Sequence, residues 1–166
     1  PLENSRYWAR RKLGAIASRL YASPEFLGIT GGEPGTPEEL ERLPLVGHTR
    51  NRIVVPWNLT DGVRNVTISP KPQIVTNGPW LLKFYAIYGF GISLLPEFFV
   101  KREVAAGALI PVLSGWSSPE RPVHLLYARH RSKNPNIARI AEDFQKGFIA
   151  GFHYPYALVA RSDPPA

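Results

Sequence analysis

The chain has 166 residues, 44% hydrophobic and 20% charged, which excludes a disordered polymer and fits one compact domain or two small lobes. It has no Cys, which excludes disulfides and thiolate metal sites, and no apolar run of about 18 residues, so no membrane-spanning helix is expected. Lys and Arg number 20 against 13 Asp and Glu, a net charge of +7 that favours anionic partners or a solvated basic surface.

Met is absent as well, even at position 1, and the chain opens on Pro1, as expected of a fragment or a processed chain. The densest basic cluster is Arg10-Arg11-Lys12; Lys71, Lys101, Arg102, Arg129, Arg131 and Lys133 are scattered through other segments. No aromatic nucleic-acid motif accompanies them.

Residues 13–22, "LGAIASRLYA", read as an extended segment. Ser23-Pro24-Glu25 then carries the signals of a helix start: a capping hydroxyl, Pro at the first helical position and an acid in the first turn. Gly31 to Gly35 is a loop, and Thr36 with Glu39 repeats the start signal as a capping box. "LPLVGHTRN", 43–51, reads as a short apolar run that ends in a polar loop. "RIVVPWNL" and "NVTISP" alternate and are β-branched, with Asp61-Gly62 between them as a hairpin signal.

"QIVTN" is a further strand, and Asn77-Gly78-Pro79 caps the helix "WLLKFYAIY", which Gly89 stops. "GISLLP" is a buried strand; Pro96 at the first helical position opens a helix that ends near Gly107. "LIPVL" and "PVHLLYA" are strands. The last helix follows Asn134-Pro135, with Ile137, Ile140, Ala141 and Phe144 on one face. A proline-bearing tail follows from His153. Strands alternating with helices predict α/β architecture with a mixed sheet.

Catalytic signals are weak, and no enzyme activity is expected. Gly89-Phe90-Gly91 leads into a strand rather than a helix, so it is no dinucleotide loop. His48, His124, His130 and His153 show no pair at zinc-helix spacing, and neither Ser23 nor Ser93 sits in a nucleophile-elbow context. No metal site and no cofactor is expected. Two polar segments stand out. His48-Thr49-Arg50-Asn51 offers four donors, with Arg50 able to grip a carboxylate; it is either such a grip or a plain surface loop. Thr76-Asn77-Gly78 precedes exposed helix amides that suit an anion, although capping alone also accounts for Asn77.

"TNGPWLLKFYAIYGFGISLLPEFFVKREVAAGALIPVL", 76–113, resembles the effector-binding region of LysR-type bacterial transcriptional regulators. "RLYASPEFL", 19–27, is similar to that family's crossing into its second lobe, and "PVHLLYARHRSKNPNIARIAEDF", 122–144, to its return strand and final helix. The resemblance covers about residues 6–150 in matching order.

It implies a periplasmic-binding-protein-like fold of two α/β lobes with mixed sheets and a small, anionic effector between them. By that mapping 1–20 are a late part of lobe I and the crossover strand, 21–121 are lobe II, and 122–150 are lobe I's return strand and final helix. The 151–166 tail has no counterpart, and lobe I is incomplete in this chain. The effector-binding candidates so implied are Ser23, His48, Thr49, Arg50, Asn51, Thr76, Asn77 and Gly78. The "GPWLLKFYAIY" helix resembles one that meets a partner chain, so Trp80, Leu81, Phe84, Tyr85 and Tyr88 are either an oligomer interface or a core face. The implied protein is a cytoplasmic homodimer or homotetramer that reaches DNA through an N-terminal helix-turn-helix outside this sequence, with no membrane partner. A solute-binding component of a transporter is the alternative, and an α/β enzyme a more distant one.

Overall fold

The structure, a computed structural model, describes residues 7–131 and 134–149. The chain divides into two compact units, Pro1–Ala15 with Pro122–Ala166, and Ile16–Arg121. The 151–166 tail and Lys133 lie outside the described residues.

In the first unit, β1 (Trp8–Ile16) pairs with β10 (Arg121–Ala128), and α4 (Pro135–Ile149) follows. The Arg11 guanidinium on β1 donates to Gln145 Oε1 on α4 at 3.2 Å. Of the apolar stripe predicted on α4, Ala141 is buried and Ile137 half-buried, while Ile140 and Phe144 remain exposed. His124 is half-buried on β10, in keeping with a strand residue rather than an acid or base.

The second unit holds β2 (Ser18–Ala22), α1 (Pro24–Thr30), β3 (Leu45–Arg50), β4 (Ile53–Val54), β5 (Trp57–Thr60), β6 (Asn65–Ile68), β7 (Ile74–Thr76), α2 (Pro79–Ile87), β8 (Ile92–Pro96), α3 (Glu97–Ala105) and β9 (Ile110–Val112). Its main sheet runs β4-β3-β8-β2-β9, with β7 also on β3. The sheet is mixed: β3 is parallel to β7 and β8, whereas β2 is antiparallel to both β8 and β9. Hydrophobic clusters form on its two faces, one around Leu20, Phe26, Leu45 and Ile92, the other around Val46, Leu82, Ala86 and Leu95.

Local chemistry accounts for most boundaries. Ser23 Oγ accepts the Phe26 N–H at 3.2 Å and caps α1, and Pro24 stands at its start. Gly89 ends α2 with a left-handed φ of 74°. Its N–H reaches Ala86 O at 3.3 Å, and the Phe90 N–H reaches Tyr85 O at 3.0 Å, so both trailing carbonyls are satisfied. Tyr85 and Phe90 rings then meet edge-to-face at 5.4 Å, the apolar contact that accompanies such a stop.

Two expectations need correction. The 37–42 segment is a 3₁₀ turn (Pro37–Arg42) without a side-chain cap from Thr36; Glu39 instead accepts the Gly35 N–H at 2.9 Å. Pro96 closes β8 and caps α3 rather than occupying its first turn. The hairpin expected at Asp61-Gly62 is present as β5–β6 and turns through four residues, because Asp61 Oδ1 accepts both the Val63 and Arg64 N–H groups, at 2.9 and 2.7 Å. Those bonds, from Arg64 first and then Val63, hold the Asp61 carboxyl below the usual carboxylate range. Among the described residues no helix is long and apolar enough to cross a membrane.

Two predictions follow from these contacts. A Cβ on Gly91, whose φ is 149°, would lie 2.5 Å from Pro44 O, whereas one on Gly115 would meet nothing within 4 Å. In urea unfolding, Gly91→Ala loses about 3 kcal/mol, and Gly115→Ala holds or gains a few tenths. For Asp61, the lowered folded pKa stabilises the hairpin above the ordinary carboxylate range, and that contribution disappears as pH falls through the depressed value. Carboxyl-detected NMR titration should place the Asp61 midpoint below that of a free peptide with the same loop sequence.

Candidate functional site

The polar segment expected as a loop at 47–51 is largely strand. β3 runs through Arg50, paired with β7 along 46–48 and with β4 at Thr49 and Arg50. Partners on both edges supply the ladder that the local sequence does not advertise, so tertiary pairing overrides a polar composition. Asn51 and Arg52 then make the turn into β4, both with positive φ, 52° and 65°. That is the conformation of a two-residue hairpin turn, and Asn is among the few non-glycine residues that adopt it readily.

Being strand has a consequence for side-chain direction. Successive residues alternate between faces, and Leu45 belongs to one cluster while Val46 belongs to the other. Thr49 therefore shares the Leu45 face, and His48 and Arg50 share the Val46 face, where α2 packs. Gly47 lies on the Leu45 face, where a Cβ would come 2.6 Å from Pro72 Cγ. The missing side chain lets the approach to β7 pass across β3.

On β7, Thr76 lies opposite His48 in the parallel register. Its Oγ1 accepts the Gly78 N–H at 3.1 Å, turning the chain toward α2. The N-cap is Gly78 rather than Asn77, and no side chain caps the helix. The structure thus brings His48, Arg50, Thr76, Asn77 and Gly78 together where β3 and β7 end and α2 begins. Among the described residues Arg50 has no acidic partner. Such strand ends are where open α/β sheets bind ligands.

β8 ends at the same edge, since it runs parallel to β3, and β2 begins there: Ser18 lies opposite Pro96. Both connections to the rest of the chain leave the second unit at this point. The Ser18 N–H donates to Ser118 Oγ at 2.9 Å, and the Ser118 N–H to Ser18 O at 2.7 Å. Arg19 forms an ion pair with Glu97 and also donates to Ser114 O at 2.6 Å. Sequence reasoning missed these residues, because a pairing 100 positions apart leaves no local pattern.

Ser23 does not join the group. Tyr21 lies opposite Ser93, which lies beside Val46, so Ser23 is at the sheet edge where β3 and β8 start. It is buried, and its hydroxyl is engaged in capping α1. Among the described residues no group of three or more His, Asp or Glu side chains is placed to hold a metal.

The α2 helix turns Leu82 and Ala86 inward. Trp80, Leu81, Phe84 and Tyr88 remain 59%, 49%, 47% and 63% exposed. Trp80 meets Phe99 of α3 at 4.7 Å, and Phe84 meets Tyr88 at 4.4 Å, so the outer face carries two separate aromatic pairs. Tyr85 differs from the other four: half-buried, it packs against the core of this unit.

The sequence matches the family described as LysR substrate binding domain over residues 3–148. An HTH-type transcriptional regulator of Xanthomonas campestris pv. campestris is 30% identical over 131 residues, covering 76% of this chain and 38% of that protein. The HTH-type transcriptional regulator PtxR of Pseudomonas aeruginosa is 30% identical over 110 residues, covering 66% of this chain and 35% of that one. This chain thus spans well under half the length of these curated relatives, which are transcriptional regulators rather than enzymes.

Among solved structures, the full-length virulence activator AphB of Vibrio cholerae superposes with a TM-score of 0.72 at 27% identity, over 87% of this chain and 49% of that one. The regulatory domain of CrgA from Neisseria meningitidis superposes with a TM-score of 0.73 at 25% identity, over 86% and 70%. A match that runs through both units, on a backbone shared with these regulatory proteins, places the chain in the LysR substrate-binding family. It is an effector-binding domain of LysR-type bacterial transcriptional regulators, with their α/β, periplasmic-binding-protein-like two-lobe fold.

Proposed function

We propose that this domain senses a small anionic effector and reports it to a DNA-binding region elsewhere in a cytoplasmic LysR-type regulator. The observation that carries the reading is the convergence of β3, β7 and the start of α2 at one sheet edge. The edge supplies the Arg50 guanidinium, the His48 ring and the Thr76–Gly78 turn. Arg50 provides charge-assisted, forked bonding to a carboxylate, and the start of α2 adds the Trp80 N–H, since the Gly78 N–H is held by Thr76, Pro79 has none, and those of Leu81 and Leu82 bond Gly78 O. In this reading the second unit is lobe II, the first unit contributes to lobe I, and the effector lies between the lobes. Thr49 contributes from the opposite face of β3, and Asn51 from the turn. Ser23 acts as a helix cap.

A bound effector favours whichever lobe arrangement it contacts more, and only that differential affinity can move a conformational equilibrium. The output is a change in oligomer geometry. The exposed Trp80, Leu81, Phe84 and Tyr88 surface, with Tyr85 beneath it, is proposed as the face that meets a second copy in a homodimer or homotetramer. Aromatic side chains of this exposure are costly to leave in water and are the residue types that dominate interfaces.

A panel of small mono- and dicarboxylates, titrated calorimetrically into the full regulator, tests the effector reading. Arg50→Ala is expected to weaken the bound carboxylate at least tenfold, in line with about 1.5–3 kcal/mol for a bond to a charged group, with little change in thermal midpoint. Thr49→Ala is expected to weaken it by less. Unchanged affinity in Arg50→Ala removes β3 from the site. For the interface, Trp80→Ala should raise the dissociation constant of self-association at least tenfold in sedimentation equilibrium, with about 1 kcal/mol of monomer stability lost with the Phe99 edge contact.

A further inference from the structure

Lys83 lies on α2 one turn after Trp80 and is unusually enclosed for a lysine, with its side chain 13% exposed. Its ammonium donates to Glu103 Oε1 at 2.7 Å and to Phe99 O at 3.2 Å, both on α3. It also stands 4.4 Å from the Phe99 ring centre and 4.9 Å from that of Trp80. The two rings meet edge-to-face at 4.7 Å. One cation therefore holds two aromatic rings, a carboxylate and a carbonyl from two helices.

Stability alone does not call for a lysine here. A buried ion pair seldom outperforms a well-packed apolar side chain of the same volume, because both charges must be desolvated. What a lysine adds is direction: an ammonium must face its acceptors, and a ring must present its face to the cation. An apolar residue would fill the space and leave the indole free to turn. We propose that Lys83 is a positioning residue. It locks the Trp80 and Phe99 rings into the one arrangement that the aromatic surface offers to a second copy of this chain. Through α2 it ties that surface to the Thr76–Gly78 turn at the candidate effector edge. This rests on the reading of the aromatic face as an interface.

The test compares Lys83→Met, which keeps the length and apolar volume, with Lys83→Arg, which keeps the cation. The Trp80 indole N–H resonance, assigned by its loss in Trp80→Phe, is followed in the 166-residue chain alongside sedimentation equilibrium and thermal unfolding. Expected are a broadened or split indole signal and about tenfold weaker self-association in Lys83→Met. Lys83→Arg should restore a single signal and association within about threefold of the parent. A sharp, unshifted Trp80 signal in Lys83→Met overturns the proposal. So does a lowered thermal midpoint with unchanged association, which would mark Lys83 as merely structural. If Trp80→Ala itself leaves association intact, the interface reading fails, and the proposed role for Lys83 fails with it. If Trp80→Ala weakens association but Lys83→Met does not, only the positioning role is lost.

Discussion

The second unit depends on how closely Gly91 approaches Pro44. Pro44 O accepts the Ile92 N–H at 3.0 Å, and this bond starts the parallel ladder between β3 and β8. Only a residue without Cβ admits the carbonyl at that distance. Once β8 is set beside β3 in this register, β2 falls opposite β8, and β7 takes the free edge of β3. A sheet register cannot shift by one residue without reversing every side chain, so this contact also decides which face of the sheet Val46, His48 and Arg50 occupy. The placement of the candidate site is thus fixed by a contact at the far end of the same strand.

Much of the fold could be read locally. The Ser23 cap, the Gly89 and Gly107 helix stops, the β8 strand and the β5–β6 hairpin each carry their own signals within a few residues. What could not be read locally was anything whose cause is distant. The polar segment at 47–50 has the composition of a loop and becomes a strand because β7 and β4 pair with it. Ser18 and Ser118 find each other across 100 positions. The site was legible in part for the same reason. Its residue types were visible in sequence, but their division between two faces, and the remoteness of Ser23, follow only from register.

The aromatic helix shows a related limit. A stretch such as Trp80-Leu81-Leu82 is too apolar to say which side faces inward, since three adjacent residues cannot share one face of a helix. The structure resolves this: Leu82 and Ala86 enter the core, Tyr85 packs against it, and Trp80, Phe84 and Tyr88 stay outside. Lys83 looks like an ordinary solvated charge in sequence and is instead surrounded by groups from α3, an arrangement that only helix packing creates. Helix packing therefore joins the edge where α2 begins and the surface along its flank into one element.

The paired hydrogen bonds between Ser18 and Ser118 also bear on modularity. They bring the two ends of the 16–121 segment together, and the Thr60–Ser117 bridge fastens the β5–β6 hairpin beside them. A segment whose ends meet is, topologically, an insertion: the chain enters and leaves through one doorway. Such a cassette can be lengthened at its outer loops, exchanged between relatives or circularly permuted without rerouting the strands that frame it. The doorway lies at the edge where β3 and β8 end, so remodelling the outer loops leaves the residues at that edge in place.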